Sequence, residues 1–122
     1  MQSKRFSISD RFKSFAYAAR GIRSFLISEH NAWLHLVATI AVITLGFIVR
    51  LASGEWIAIL IAIAIVWIAE MLNTCIEKMM DIISPTFDPR VRFIKDVAAG
   101  AVLVAAIAAL AIGLIIFIPH IQ

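Results

Sequence analysis

Four polar side chains recur along one stretch of an otherwise apolar sequence: Glu70, Asn73, Glu77 and Asp81, at intervals of three, four and four. On a helix that spacing makes one stripe. Carboxylates one turn apart repel each other and are costly in apolar surroundings. The row therefore points to bound cations, a basic partner or inward-facing chemistry. Glu29 and the adjacent Lys95 and Asp96 complete the set. Together they offer oxygen ligands for a hard cation, a general base and a cation directed at phosphate, which is the inventory of a phosphoryl-transfer site. The chain has no Walker A loop, no protein-kinase glycine-rich loop and no cysteine or histidine metal signature. A nucleotide would have to be held through metal and isolated basic contacts.

The elements that carry these residues follow from composition. The chain has 122 residues and is 62% hydrophobic, with 11 Lys or Arg and 8 Asp or Glu, too little charge for the surface of a small soluble domain. Residues 30–49 and 97–122 contain no charged side chain, and each run is long enough to cross a hydrocarbon core of about 30 Å. An all-α integral membrane protein is expected, with one domain over 1–122. Cys75 has no partner in the chain and reads as a small packed residue.

Residues 1–29 carry Lys4, Arg5, Arg11, Lys13, Arg20 and Arg23 against Asp10 and Glu29. Ser9 is placed to cap a helix over about 8–28, in which Phe12, Phe15, Ala19, Ile22 and Leu26 recur on one face. This is an amphipathic interfacial helix. Three further helices, over 30–49, 55–82 and 91–118, contain the spans. In the first, Thr39 and Thr44 can bond back to their own backbone, and His35 has no evident chemical role. The turn at 51–55 would use Gly54 for backbone freedom, and the 84–89 segment, with two prolines, reads as a loop. Basic residues crowd the amino-terminal segment and the 84–95 region, so the amino terminus and that loop are expected in the cytoplasm and the carboxy terminus outside. Small residues such as Ala98, Gly100, Ala101 and Ala105 allow close helix approach. Three spans shield a charged cleft thinly, and a homo-oligomer is expected.

The run Glu70-Met71-Leu72-Asn73-Thr74-Cys75-Ile76-Glu77, then Asp81, then Lys95-Asp96-Val97-Ala98-Ala99-Gly100, resembles the signature of the prokaryotic diacylglycerol kinase family. These are small integral membrane lipid kinases that include the undecaprenol kinases. The similarity extends over nearly the whole chain, with Lys13, Arg20-Gly21, Arg23 and Glu29 preceding the first span. The resemblance implies a homotrimer with sites shared between protomers, Mg2+ and ATP as cofactor and phosphoryl donor, and a phosphorylated lipid plus ADP as products. It implies that Glu70 is the general base toward the lipid hydroxyl and that Asn73 helps organise that site. Glu29 and Glu77 match the metal-coordinating carboxylates, Lys95 a phosphate-contacting lysine, Asp96 its polar neighbour, and Asp81 a further active-site acid. His35 stands where some members carry a glutamate, and Arg11 aligns poorly. The Ser84-Pro85 loop start and the run from Lys95 to Gly100 resemble the undecaprenol-kinase branch more than the enterobacterial diacylglycerol kinases. Undecaprenol is therefore the favoured acceptor and diacylglycerol the alternative. The implied location is the bacterial cytoplasmic (inner) membrane, with no nucleic-acid partner.

Two other classes compete. An ion-translocating protein would need polar residues through the bilayer, whereas 56–69 is uncharged and the other spans supply only His35, Thr39 and Thr44. A structural protein would tolerate Glu70→Gln.

Overall fold

A computed structural model describes residues 5–122, so Lys4 lies outside the described residues. The described residues form four helices: α1 (Ile8–Ser28), α2 (His30–Val49), α3 (Ser53–Ile83) and α4 (Pro89–Ile121). By length and composition, α2, α3 and α4 can each cross a membrane. At 31 and 33 residues, α3 and α4 extend to roughly 46 and 50 Å. Each therefore outreaches the hydrocarbon layer and can carry charge at its end.

The residues form two compact units, 1–38 and 39–122. In the first, α1 begins at Ser7, whose hydroxyl accepts from the Asp10 N–H. Ser7, not Ser9, is the cap; Ser9 lies inside the helix. Ile8, Phe12 and Phe15 form an exposed apolar face, as an interfacial helix requires. Phe25 and Ala32 are buried. Between the two helices Glu29 alone is extended (φ −110, ψ 120), its N–H bonded to the Phe25 carbonyl.

In the second unit, α3 and α4 pack against each other as a hairpin. The α2–α3 connection is set by residues that pattern reading missed. Arg50 is the only described non-glycine residue with positive φ (58°), and it ends α2 in a Schellman motif. The Arg50 N–H bonds to the Phe47 carbonyl and the Leu51 N–H to the Gly46 carbonyl. Gly54, expected to supply the turn's freedom, is helical: α3 starts at Ser53, and the Glu55 carboxylate accepts from the Ala52 N–H at 3.0 Å. The indole of Trp56 fills the space a side chain at position 46 would need, since a Cβ on Gly46 would meet Trp56 Cη2 at 2.7 Å. Leu51, Ile59, Ile116 and Phe117 are buried together beside this turn. His120 Nε2 lies 2.9 Å from Glu55 Oε2, joining the end of α4 to the start of α3.

At the other end, Ser84 closes α3 through its N–H to the Met80 carbonyl, and Asp88 opens α4 ahead of Pro89. No polar residue is buried as a whole among the described residues, while Leu60, Val104, Leu110 and Ile115 face outward. Such a surface suits lipid or further protein.

Candidate phosphoryl-transfer site

The acidic stripe lies on the second half of α3, where the helix passes from its uncharged stretch toward the 84–88 loop. Glu70 and Glu77 are half-buried there. Asn73 Nδ2 donates to Glu77 Oε1 at 3.3 Å, the geometry that i and i+4 positions allow. Asn73 Oδ1 is buried and lacks a partner. Asn73 also lines an apolar groove of about 500 Å³ between α3 and α4, with Leu72, Ile76, Ala98, Ala101 and Ala105 among its walls. The alanines of α4 open this groove because they stop at Cβ.

Asp81 ends the stripe, and its carboxylate meets the ammonium of Lys95 at 2.5 Å. The contact crosses from α3 to α4 and joins residues 14 apart through the hairpin. Asp96 does not pair with its neighbour Lys95: consecutive helical residues point about 100° apart, and Asp96 takes Arg92 at 3.3 Å instead. Arg92 stands four residues from both Asp88 and Asp96, so spacing alone left its partner open. Asp88 holds Arg90 through both carboxylate oxygens and accepts the Arg90 N–H. Those bonds hold the Asp88 carboxyl down at a pKa of about 2.

Of the seven sequence-derived candidates, Asn73 and Glu77 are brought together, as are Asp81 and Lys95. Asp96 faces Arg92, and Glu70 precedes Asn73 on the same stripe. Glu29 belongs to the first unit, at the extended residue between α1 and α2. Cys75, expected to be packed, is exposed on this chain.

Among the described residues no three or more His, Cys, Asp or Glu side chains gather as a metal cage. Magnesium does not demand one, because it retains water and takes one or two carboxylates plus phosphate oxygens. The hard oxygens of Glu77 and the orphaned Asn73 Oδ1 suit that chemistry. Sequence reasoning did not find Thr39 and Trp67, whose side chains are bonded across α2 and α3 with Trp67 Nε1 donating to Thr39 Oγ1 at 2.9 Å. No local pattern signals it.

Residues 16–117 match the family model for prokaryotic diacylglycerol kinase. The chain is 43% identical over 108 residues to an undecaprenol kinase of Bacillus subtilis, with 88% of each chain covered. It is 33% identical over 107 residues to a diacylglycerol kinase of Synechocystis sp., across 87% of this chain and 61% of that relative.

Proposed function

Since this chain belongs to the prokaryotic diacylglycerol kinase family and is a membrane-bound lipid kinase of that family, we propose that it phosphorylates undecaprenol with ATP at the cytoplasmic face of the inner membrane. The observation that carries the reading is the Asp81–Lys95 bridge at the end of the acidic stripe, which keeps both signs of charge beside an apolar groove. Phosphoryl transfer needs that mixture: carboxylates for the proton and the cation, an ammonium for the phosphate charge. The similarity to the Bacillus enzyme favours undecaprenol, and the similarity to the Synechocystis enzyme makes diacylglycerol the alternative.

Glu70 takes the proton from the lipid hydroxyl as its oxygen attacks the γ-phosphorus. The bond to the β,γ-bridging oxygen breaks and ADP departs. Asn73 helps organise that site, its Nδ2 donating to the Glu77 carboxylate. Glu77 would be a ligand of Mg2+, which would offset the repulsion between nucleotide phosphates and the acidic stripe, and the family resemblance makes Glu29 a second metal carboxylate, from this protomer or another. Lys95 leaves Asp81 to contact phosphate, with Asp96 as its polar neighbour at the nucleotide. The lipid stays anchored in the bilayer while its hydroxyl reaches the interface and ATP approaches from water. The amino terminus is cytoplasmic and the carboxy terminus outside, with 1–122 acting as one lipid-kinase domain. Three chains form a homotrimer that covers the outward apolar faces and shares each site between protomers.

The test is transfer from labelled ATP, with Mg2+, to purified undecaprenol and diacylglycerol presented separately in mixed micelles. Undecaprenol is expected to be the better acceptor, and Glu70→Gln to abolish turnover while assembly is retained. Transfer to neither lipid would reject the kinase reading; preference for diacylglycerol would overturn the acceptor.

A further inference from the structure

Trp67 reaches out of α3 in its otherwise uncharged stretch, and its indole N–H donates to the hydroxyl of Thr39 on α2 at 2.9 Å. Both side chains are half-buried. An indole N–H in apolar surroundings is costly unless it is bonded, and within a bilayer the partner must come from protein. The Thr39 hydroxyl was expected to serve only its own helix, yet it can accept from Trp67 and still donate its own proton.

The contact is the second of two between the same helix faces. Toward the Arg50 turn, the Trp56 indole occupies the recess above Gly46. Trp56 and Trp67 are eleven residues apart, and Gly46 and Thr39 are seven apart. At 3.6 residues per turn both intervals return to within about 20° of the same direction. The two indoles therefore leave α3 in nearly one direction and meet α2 along nearly one line. The two contacts differ in kind: ring against glycine is steric and tolerates rotation, whereas the hydrogen bond is directional.

Glu70 comes three residues after Trp67, about 4.5 Å along the axis and about 60° short of a full turn. Between Trp56 and Glu70 the Trp67 indole N–H is the one side-chain hydrogen-bonding group, the other residues being apolar. Beyond Glu70, the Asp81–Lys95 bridge ties α3 to α4. The stripe is thus pinned at both ends.

We propose that Thr39 and Trp67 are positioning residues that set the rotation of α3 at Glu70, so that its carboxylate points at the acceptor hydroxyl; this role rests on the kinase reading above. Neither residue touches the reacting atoms. Misplacing a base by about 1 Å can cost about a hundredfold in rate, and a helix held at its other contacts should lose less.

Thr39→Val keeps the side-chain shape without the acceptor, Thr39→Ser keeps the acceptor, and Trp67→Phe removes the donor. In full-length protein in nanodiscs, Thr39→Val and Trp67→Phe are expected to lower kcat for the lipid about tenfold with the KM for ATP within twofold of wild type. Thr39→Ser restores kcat. The Trp67 indole N–H, followed by 15N NMR, exchanges slowly in wild type and Thr39→Ser and faster in Thr39→Val. Unchanged kcat in Thr39→Val overturns the proposal, as does an equal loss in Thr39→Ser or a loss confined to folded fraction. Wild type that transfers no phosphate but protects the Trp67 N–H would reject the kinase reading, and the role with it, while leaving the contact intact.

Discussion

Asp81 and Lys95 meet across the α3–α4 hairpin at 2.5 Å, with the aspartate side chain 65% exposed and the lysine 33% exposed. A pair this open to solvent contributes at most about 1 kcal/mol. It holds Lys95 near the end of the acidic stripe without trapping it, so a nucleotide phosphate with more charge can take the ammonium over.

Removing the two partners should therefore have unequal effects. Lys95→Met is expected to lower kcat/KM for ATP by about a hundredfold or more, as loss of a charge-stabilising donor does. Asp81→Asn is expected to change it by less than about fivefold, the limit set by a surface pair. Steady-state kinetics at varied ATP measure both, and equal losses would contradict an exchangeable bridge.

Asn73 and Glu77 share a hydrogen bond at 3.3 Å and leave Asn73 Oδ1 unpartnered. Glu77→Gln removes a carboxylate from the proposed cation site, so the Mg2+ concentration for half-maximal activity should rise about tenfold or more, in contrast to the turnover defect of Glu70→Gln. Titrating activity with Mg2+ at saturating ATP separates the two. An unchanged Mg2+ requirement in Glu77→Gln would remove that residue from the cation site.

At the α2–α3 turn, opposite substitutions should have opposite signs. Gly46→Ala drives a Cβ to 2.7 Å from a rigid indole carbon and is expected to cost about 1–3 kcal/mol. Arg50→Gly relieves a left-handed residue at φ 58° and should stabilise by up to about 1 kcal/mol. Thermal unfolding in one detergent checks both, with Tm falling in the first and rising in the second.

Asp88 is held at a pKa of about 2 by Arg90, against about 3.9 for an unperturbed aspartate. A carboxyl depressed by folding contributes stability that is fully present above the unfolded pKa. That contribution is lost as pH falls through the folded value, so the window is about pH 4 to 2. Wild type should lose part of its stability there, and Asp88→Asn should show a shallower acid limb. Identical acid limbs in Tm against pH would exclude the contribution.

Much of the protein is readable without coordinates because helical periodicity is local. The stripe from Glu70 to Asp81 is specified by spacing alone, since 3.6 residues per turn converts it into a shared face. The three membrane-length helices follow from charge-free runs whose backbone must satisfy itself. End chemistry was less legible. Ser7 and Ser9 are equally good caps by residue type, and a left-handed Arg50 breaks the rule that would have chosen Gly54.

What only the tertiary structure decided is how one helix is turned against the next. Sequence by itself determined which residue types lie along each face, including the acids of α3 and the small residues of α4. That Lys95 takes Asp81 rather than Asp96, that Asn73 opens on the α3–α4 groove, and that Trp67 finds Thr39 all depend on rotation and register between helices. Those are set by non-local contacts such as the Trp56 indole over Gly46. Apolar packing between such helices is nearly indifferent to direction, so directional contacts such as the Trp67–Thr39 hydrogen bond and the Asp81–Lys95 pair, with the recess at Gly46, help select the arrangement.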